Sequence, residues 1–292
     1  MDTIATPYEL MVTKKSGEKV PFSSEKLLLS LKNVGVTDDV AAKIVSAIET
    51  EVYDGITTRD IYKKAFSLLR KYSRGASLKY RLKEAITQLG TTGYPFERFV
   101  ADLFAEKGYQ VKVGVILDGY AITHEIDVLA IKHDRIFTVE CKYHTNPSSK
   151  SDVKVPMYIL SRSKDLENQW KKYPEFEGKS YQQWIATNTR FTDDAIKFAE
   201  AYNIGLLSWD YPRGQGLKEW IQLYGAFPIT CLSCLSKAEK EELVHKGLVS
   251  CQTIYKNPRL LNGVSIPEGK KRTLIKELRY LYETVMAEGQ LV

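Results

Sequence analysis

Residues 124–144, HEIDVLAIKHDRIFTVECKYH, constrain the fold more than any other stretch of the chain. Two runs, EIDVLAIK and RIFTVECKYH, are rich in β-branched and aromatic residues and flank a short polar break, so they read as a pair of strands. Yet Asp127, Glu140 and Lys142 stand where a half-buried strand wants apolar residues. A tight turn at His133-Asp134 sets Asp127 directly opposite Glu140, and Glu125 opposite Lys142. Cross-strand partners have Cβ atoms about 4.5–5.5 Å apart, so the two carboxylates would meet. Glu140 and Lys142, two apart on one strand, share a face. The turn has no glycine, and a longer loop would shift this register.

Facing carboxylates repel, and each pKa rises unless a cation stands between them. A hard divalent ion, Mg²⁺ or Mn²⁺, suits such a site because it takes oxygen ligands and keeps several waters. The carbonyl of Cys141 is a further candidate ligand, and Lys142 is placed to orient or deprotonate a water or to stabilise charge on a phosphate. That is equipment for metal-assisted phosphodiester hydrolysis. Glu97, on a helix just ahead of the strands (YPFERF), is a candidate to reach the same patch. The competing reading is plain: solvent-facing charges on a one-sided sheet, and an ordinary acid in a helix first turn.

The full length, 292 residues, allows two domains and a small third. At 43% hydrophobic and 27% charged, the chain has enough apolar residues for real cores. No apolar run approaches the roughly 18 residues of a membrane helix, and no signal-peptide pattern opens the chain, so a cytoplasmic protein without a membrane partner is expected. Four cysteines without a regular framework fit a reducing compartment. A net charge of +6 permits a nucleic-acid partner without requiring one.

Along the chain, LMVTKKSGEKV reads as two short strands around the turn at Gly17. Helices follow from Ser23 or Ser24 to Gly35, after Thr37, after Thr57 or Thr58, and over about 76–89. Gly90-Thr-Thr-Gly93 breaks the pattern. Beyond it, helix–β–β–β–helix–β–helix–β predicts an α/β layer with a mixed sheet, Thr192 capping the helix FTDDAIKFAEAYN. From about 226 the chain is helical again. The fold class is therefore multidomain α+β, with domains expected at 1–90, 91–225 and 226–292.

The order YPFERFVADLFAEKGYQVKVG…HEIDVLAI…FTVECKYH resembles the PD-(D/E)XK nucleases, and within them the Mrr-like restriction endonucleases and archaeal Holliday-junction resolvases. WIATNTRFTDDAIKFAEAYNIGLLSWD continues the Mrr-like pattern, so the resemblance spans about 93–212. It implies Glu97, Asp127, Glu140 and Lys142 as catalytic residues, with the first three and Cys141 around the metal. Many Mrr-like proteins carry Gln where this chain has Glu140, and Glu favours metal binding.

VTKKSGEKVPFSSEKL…YDGITTRDI…YRLKEAI is similar to the ATP-cone, a nucleotide-sensing domain, over about 10–88. Lys14, Lys15 and Lys26 gather positive charge near a hairpin and a helix N-terminus, as a triphosphate requires. The resemblance adds Val12 and Leu27 against the base, and Thr58 and Tyr62 from the third helix. There is no GxxxxGK[ST] motif, so ATP or dATP is expected as an effector and not as a fuel.

In the last segment, Cys231, Cys234, His245 and Cys251 make a Cys₃His zinc site conceivable, although the first two fall among leucines at helical spacing like core cysteines. The turn HKGLVS between helices is loosely like a helix-hairpin-helix, and GKKR at 269–272 could touch phosphates. Lys154, just after the site loop, is a further phosphate candidate or simply solvated. The sequence thus points to a nucleotide-regulated, Mg²⁺-dependent DNA endonuclease in restriction or DNA processing, acting as a dimer or larger. Its rival is a non-catalytic DNA-binding regulator on the same fold.

Overall fold

The computed structural model describes residues 10–14, 16–174 and 177–287, with the side chains of 74 and 284–287 excepted. Contacts divide the chain into two compact units, one running to Arg81 with Tyr280–Thr284, the other spanning Leu82–Arg279.

In the first unit, β1 (Met11–Thr13) and β2 (Lys19–Pro21) pair antiparallel, with Val12 opposite Val20. Four helices follow: α1 (Ser24–Lys32), α2 (Asp38–Glu49), α3 (Thr58–Tyr72) and α4 (Arg74–Tyr80). Their starts obey capping chemistry. The Ser23 hydroxyl accepts from Lys26 N and that of Thr57 from Asp60 N, each satisfying an amide the first turn leaves unpaired. Leu27, Leu31, Ile44, Ile48, Ile61 and Leu69 fill the core at helical spacing. The helix expected over 76–89 is two helices, α4 and α5 (Leu82–Thr87). The Tyr80 carbonyl accepts from the Tyr62 hydroxyl at 3.1 Å, and the Tyr62 and Tyr80 rings stack at 4.9 Å. A tertiary contact thus takes a group that a continuous helix would use for itself.

The second unit is built on a five-stranded mixed sheet in the order β3-β4-β5-β7-β9. Its strands are β3 (Gln110–Asp118), β4 (Thr123–Lys132), β5 (Arg135–Lys142), β7 (Ser180–Thr187) and β9 (Gly205–Leu207). β3, β4 and β5 run antiparallel, whereas β7 and β9 join parallel through helical crossovers. β5 is buried along almost its whole length, as befits a central strand with neighbours on both edges. The helix α6 (Tyr94–Glu106) buries Phe96, Phe99, Val100, Leu103 and Phe104 along one stripe. α7 (Lys154–Trp170) and α8 (Asp193–Ala201) pack through Ile159, Ala195 and Ala199, and Thr192 caps α8 as expected. A small parallel pair, β6 (Lys150–Ser151) with β8 (Arg190–Phe191), escapes notice in the sequence because two residues show no periodicity.

After α9 (Leu217–Tyr224), the chain continues as the short helices α10 (Lys237–His245) and α11 (Cys251–Lys256), a 3-10 stretch Pro258–Gly263 and the 20-residue helix α12 (Glu268–Ala287). Among the described residues, no helix is long and apolar enough to cross a membrane.

Candidate active site

The β4–β5 hairpin turns through the two residues His133 and Asp134, with His133 at φ 54°, a left-handed conformation that histidine tolerates better than most residues. Val128 pairs with Val139 and Lys132 with Arg135, which is the register the tight turn requires. The ladder stops at Val128, one residue short of Asp127. On the other edge, the β3–β4 pairing steps from Val113↔Val128 to Val115↔Ile126, skipping Gly114 and Asp127. Gly114 takes φ 63°, which an L side chain resists. Both ladders therefore lapse at Asp127, and its carboxylate takes over the missing hydrogen bond by accepting from the Cys141 amide at 2.7 Å.

Glu140, next to Cys141 on β5, is only 6% exposed. Lys142 Nζ donates to its Oε1 at 2.5 Å, and Arg162 Nη1 lies 2.8 Å from its Oε2. Arg162 comes from α7, is 4% exposed, and also donates to the Glu125 carbonyl at 3.2 Å. Its Nε and Nη2 have no hydrogen-bond partner among the described residues. Sequence reasoning missed this residue. The available signal was a cation on the buried stripe formed by Pro156, Ile159, Ser163, Leu166 and Trp170, where only a buried acid could receive it.

Glu97 sits in the first turn of α6, half-buried. Two contacts hold that turn beside the end of β5: the Tyr143 hydroxyl donates to the Thr87 and Gly90 carbonyls at 2.8 and 3.1 Å, and its ring lies 5.7 Å from Phe96. Asn188 clamps the next residue, accepting from His144 N and donating to His144 O, both at 2.8 Å.

The acids feel one another. Burial pushes the Glu97 carboxyl up to about 7, helped by the charges of Asp127, Glu125 and Glu140. Burial and then Glu140 push Asp127 up to about 6, against the Cys141 amide, Arg162 and Lys142. The Cys141 thiol is raised well above its usual range by burial, which leaves its main chain as the available ligand.

Glu97, Asp127, Glu140, Cys141 and Lys142 thus fall in one patch, in which burial and neighbouring charge disfavour the charged forms of Glu97 and Asp127. Among the described residues, no three His, Cys, Asp or Glu side chains converge as a ready metal cluster. Mg²⁺ does not demand three, since it is commonly held by one or two carboxylates with waters and substrate phosphate completing its shell. The oxygen-only donors and raised acids fit such an ion. Lys154 lies exposed in the first turn of α7. Cys231, Cys251 and Cys234 are free thiols; the first two are buried with sulfurs 3.9 Å apart, and no metal cluster gathers around them and His245.

In the first unit, Thr13 N donates to Ile56 O at 2.9 Å and Thr13 bridges Thr57, which brings Lys14 on the hairpin towards Thr58 at the start of α3. Lys26 is exposed in the first turn of α1. Lys14 pairs with Glu18 at 3.0 Å. Val12 and Leu27 are buried in the core, and Tyr62 is half-buried against Tyr80. Lys15 lies outside the described residues.

Three families match successive parts of this chain: ATP cone domain over residues 10–83, restriction endonuclease (Mrr_cat) over 89–220, and AF1548-like, C-terminal, over 227–282. An uncharacterized protein of Archaeoglobus fulgidus is 32% identical over 181 residues, 62% of this chain and 98% of the relative. The crystal structure of the protein of unknown function AF1548 is 31% identical, with a TM-score of 0.53 over 67% of this chain and all of that one. MspJI restriction endonuclease in complex with a 27-mer oligonucleotide shows 10% identity and a TM-score of 0.31 over 77% of this chain and 44% of that one, a likeness too slight to carry an argument.

Proposed function

Because this chain belongs to the AF1548-like family and joins an ATP-cone to an Mrr-type restriction-endonuclease domain, we propose that it is a nucleotide-regulated, divalent-metal-dependent DNA endonuclease. The observation that carries this reading is the gathering of Asp127, Glu140 and Lys142 where both β4 ladders lapse, with Glu97 beside them. Asp127, Glu140, the Cys141 carbonyl and Glu97 would hold Mg²⁺ or Mn²⁺, which when bound supplies polarisation of the phosphodiester and a more acidic water. Arg162 fixes Glu140 from behind, leaving Oε1 as the oxygen turned to Lys142. Lys142 then orients the attacking water or neutralises charge growing on the phosphate.

In the ATP-cone, Lys14, Lys15 and Lys26 would face the triphosphate of ATP or dATP, with Thr58 and Tyr62 flanking. Val12 and Leu27 back the base from the core. A dimer or larger assembly would supply the two active sites that double-strand cleavage needs.

The rival, a DNA-binding regulator that does not cut, draws on one observation: both Glu140 oxygens are already engaged by cations. Incubation of the full chain with supercoiled plasmid and Mg²⁺, with and without ATP or dATP, separates them. Nicking is expected, with ATP bound and not hydrolysed. No nicking of plain, methylated or branched DNA under any of these conditions, with the DNA still bound, favours the rival.

A further inference from the structure

The segment 256–279 carries Lys256, Arg259, Lys270, Lys271, Arg272, Lys276 and Arg279 against only Glu268 and Glu277. Much of the net charge of the whole chain is therefore concentrated in this short stretch of the C-terminal helical region. Three of the cations are neutralised locally: Lys256 by Glu106 at 2.7 Å, Lys270 by Glu239 at 2.8 Å and Lys271 by Glu268 at 2.8 Å. Glu277 is turned inward, where it accepts from Ser233 N and Cys234 N at 2.7 and 2.9 Å. Both acids of the segment are thus committed. Arg259, Arg272, Lys276 and Arg279 are exposed and take part in none of the ion pairs among the described residues.

Arg272, Lys276 and Arg279 are spaced i, i+4 and i+7 on α12, so they form one stripe. They border a shallow groove of about 360 Å³ whose other wall is Pro258, Leu261 and Asn262, the 3-10 stretch that carries Arg259. Concentrating like charges on one face costs self-repulsion, which a polyanion relieves. The stripe is about 10 Å long at 1.5 Å per helical residue, close to three phosphates of one DNA strand at 3.4 Å each along the duplex axis. Besides the cations themselves, the groove offers base edges little: its remaining lining is aliphatic or proline, apart from Asn262 and the already paired Lys271 and Glu268.

We infer that this groove is a second, sequence-independent DNA contact, in which Arg259, Arg272, Lys276 and Arg279 grip the phosphate backbone of duplex DNA while the nuclease domain engages the scissile bond. The inference rests on the DNA reading of the nuclease domain and gives that reading a holding surface outside the catalytic patch. Backbone contacts of this kind position the protein and set affinity without specifying sequence.

The test is fluorescence anisotropy of the full chain with a labelled random-sequence duplex in EDTA, repeated across salt concentrations. Wild type is compared with Arg272→Gln, Lys276→Gln, Arg279→Gln combined. A control of equal charge change combines Lys43→Gln, Lys63→Gln and Lys237→Gln, three lysines paired with acids elsewhere on the surface. Each lost phosphate contact lowers the salt slope by about 0.9, so three contacts make wild-type affinity fall about 40-fold more steeply than the variant's between about 50 and about 200 mM salt. The control is expected to keep the wild-type slope, and all three proteins to melt together. If wild type binds and the groove variant keeps its slope, or if the control loses as much, the groove is not the contact although the DNA reading survives. Preference for duplex RNA over duplex DNA also overturns the inference. If wild type does not bind DNA at all, the functional reading itself fails.

Discussion

Arg162 and Glu140 are each the other's answer to burial. A guanidinium and a carboxylate at 4% and 6% exposure persist because they meet at 2.8 Å. Removing one partner of a buried ion pair costs about 3–5 kcal/mol, since Arg162 is left without a carboxylate or Glu140 keeps only the partly exposed Lys142. Arg162→Met and Glu140→Gln are each expected to destabilise the chain by that order in urea unfolding. The double variant should lose clearly less than the sum, because neither charge is then stranded. Additive losses would mean that the pair contributes nothing as a pair.

Asp127 and Glu97 make a second prediction at this scale. Their folded-state pKa values, about 6 and about 7, lie above the ordinary 3.8 and 4.5, so the native state holds protons that the unfolded state releases. The sign follows from linkage: these groups cost nothing below about pH 4, and their burden grows as pH rises through their folded pKa values. The metal-free protein should therefore lose melting temperature between about pH 5 and about pH 7.5. Glu97→Gln with Asp127→Asn should flatten that slope, and Mg²⁺ at the upper pH should restore stability to wild type alone. A pH profile unchanged by the two substitutions would show that burial and charge do not raise these acids.

At the scale of elements, the legible parts were those fixed by local chemistry. Caps at Ser23, Thr57 and Thr192 and the α6 stripe through Phe96, Phe99 and Phe104 mark helices in the sequence itself. So does the two-residue turn that sets the β4–β5 register. What stayed hidden depends on distant parts of the chain. The division between α4 and α5 follows from the Tyr62 hydroxyl claiming the Tyr80 carbonyl, a partner 18 residues away. Arg162 looks like a surface cation until α7 is laid across β5. Gly114 reads as an ordinary flexible residue in a strand, yet its left-handed backbone marks the point where both ladders release Asp127. The candidate site could thus be picked out as a set of residues, while the reason for its geometry lies in a strand defect and a helix crossing that periodicity does not show.

At the scale of the whole molecule, an ATP-cone and a restriction-endonuclease domain share one chain with a basic helical region behind them. A nucleotide that is bound and not hydrolysed would regulate only through differential affinity for two states of the protein. The groove on α12 would hold DNA whether or not the site is competent to cut, so binding and cleavage should separate. Lys142 divides them most sharply, because it faces Glu140 at 2.5 Å and belongs to no part of the α12 groove. The decisive measurement is Mg²⁺-dependent plasmid cleavage by Lys142→Ala beside wild type, with duplex affinity read on the same samples. Cleavage is expected to fall about 100-fold or more, on the scale of removing a group that serves proton transfer, with affinity changed by less than about twofold. Cleavage by Lys142→Ala at the wild-type rate would contradict this expectation.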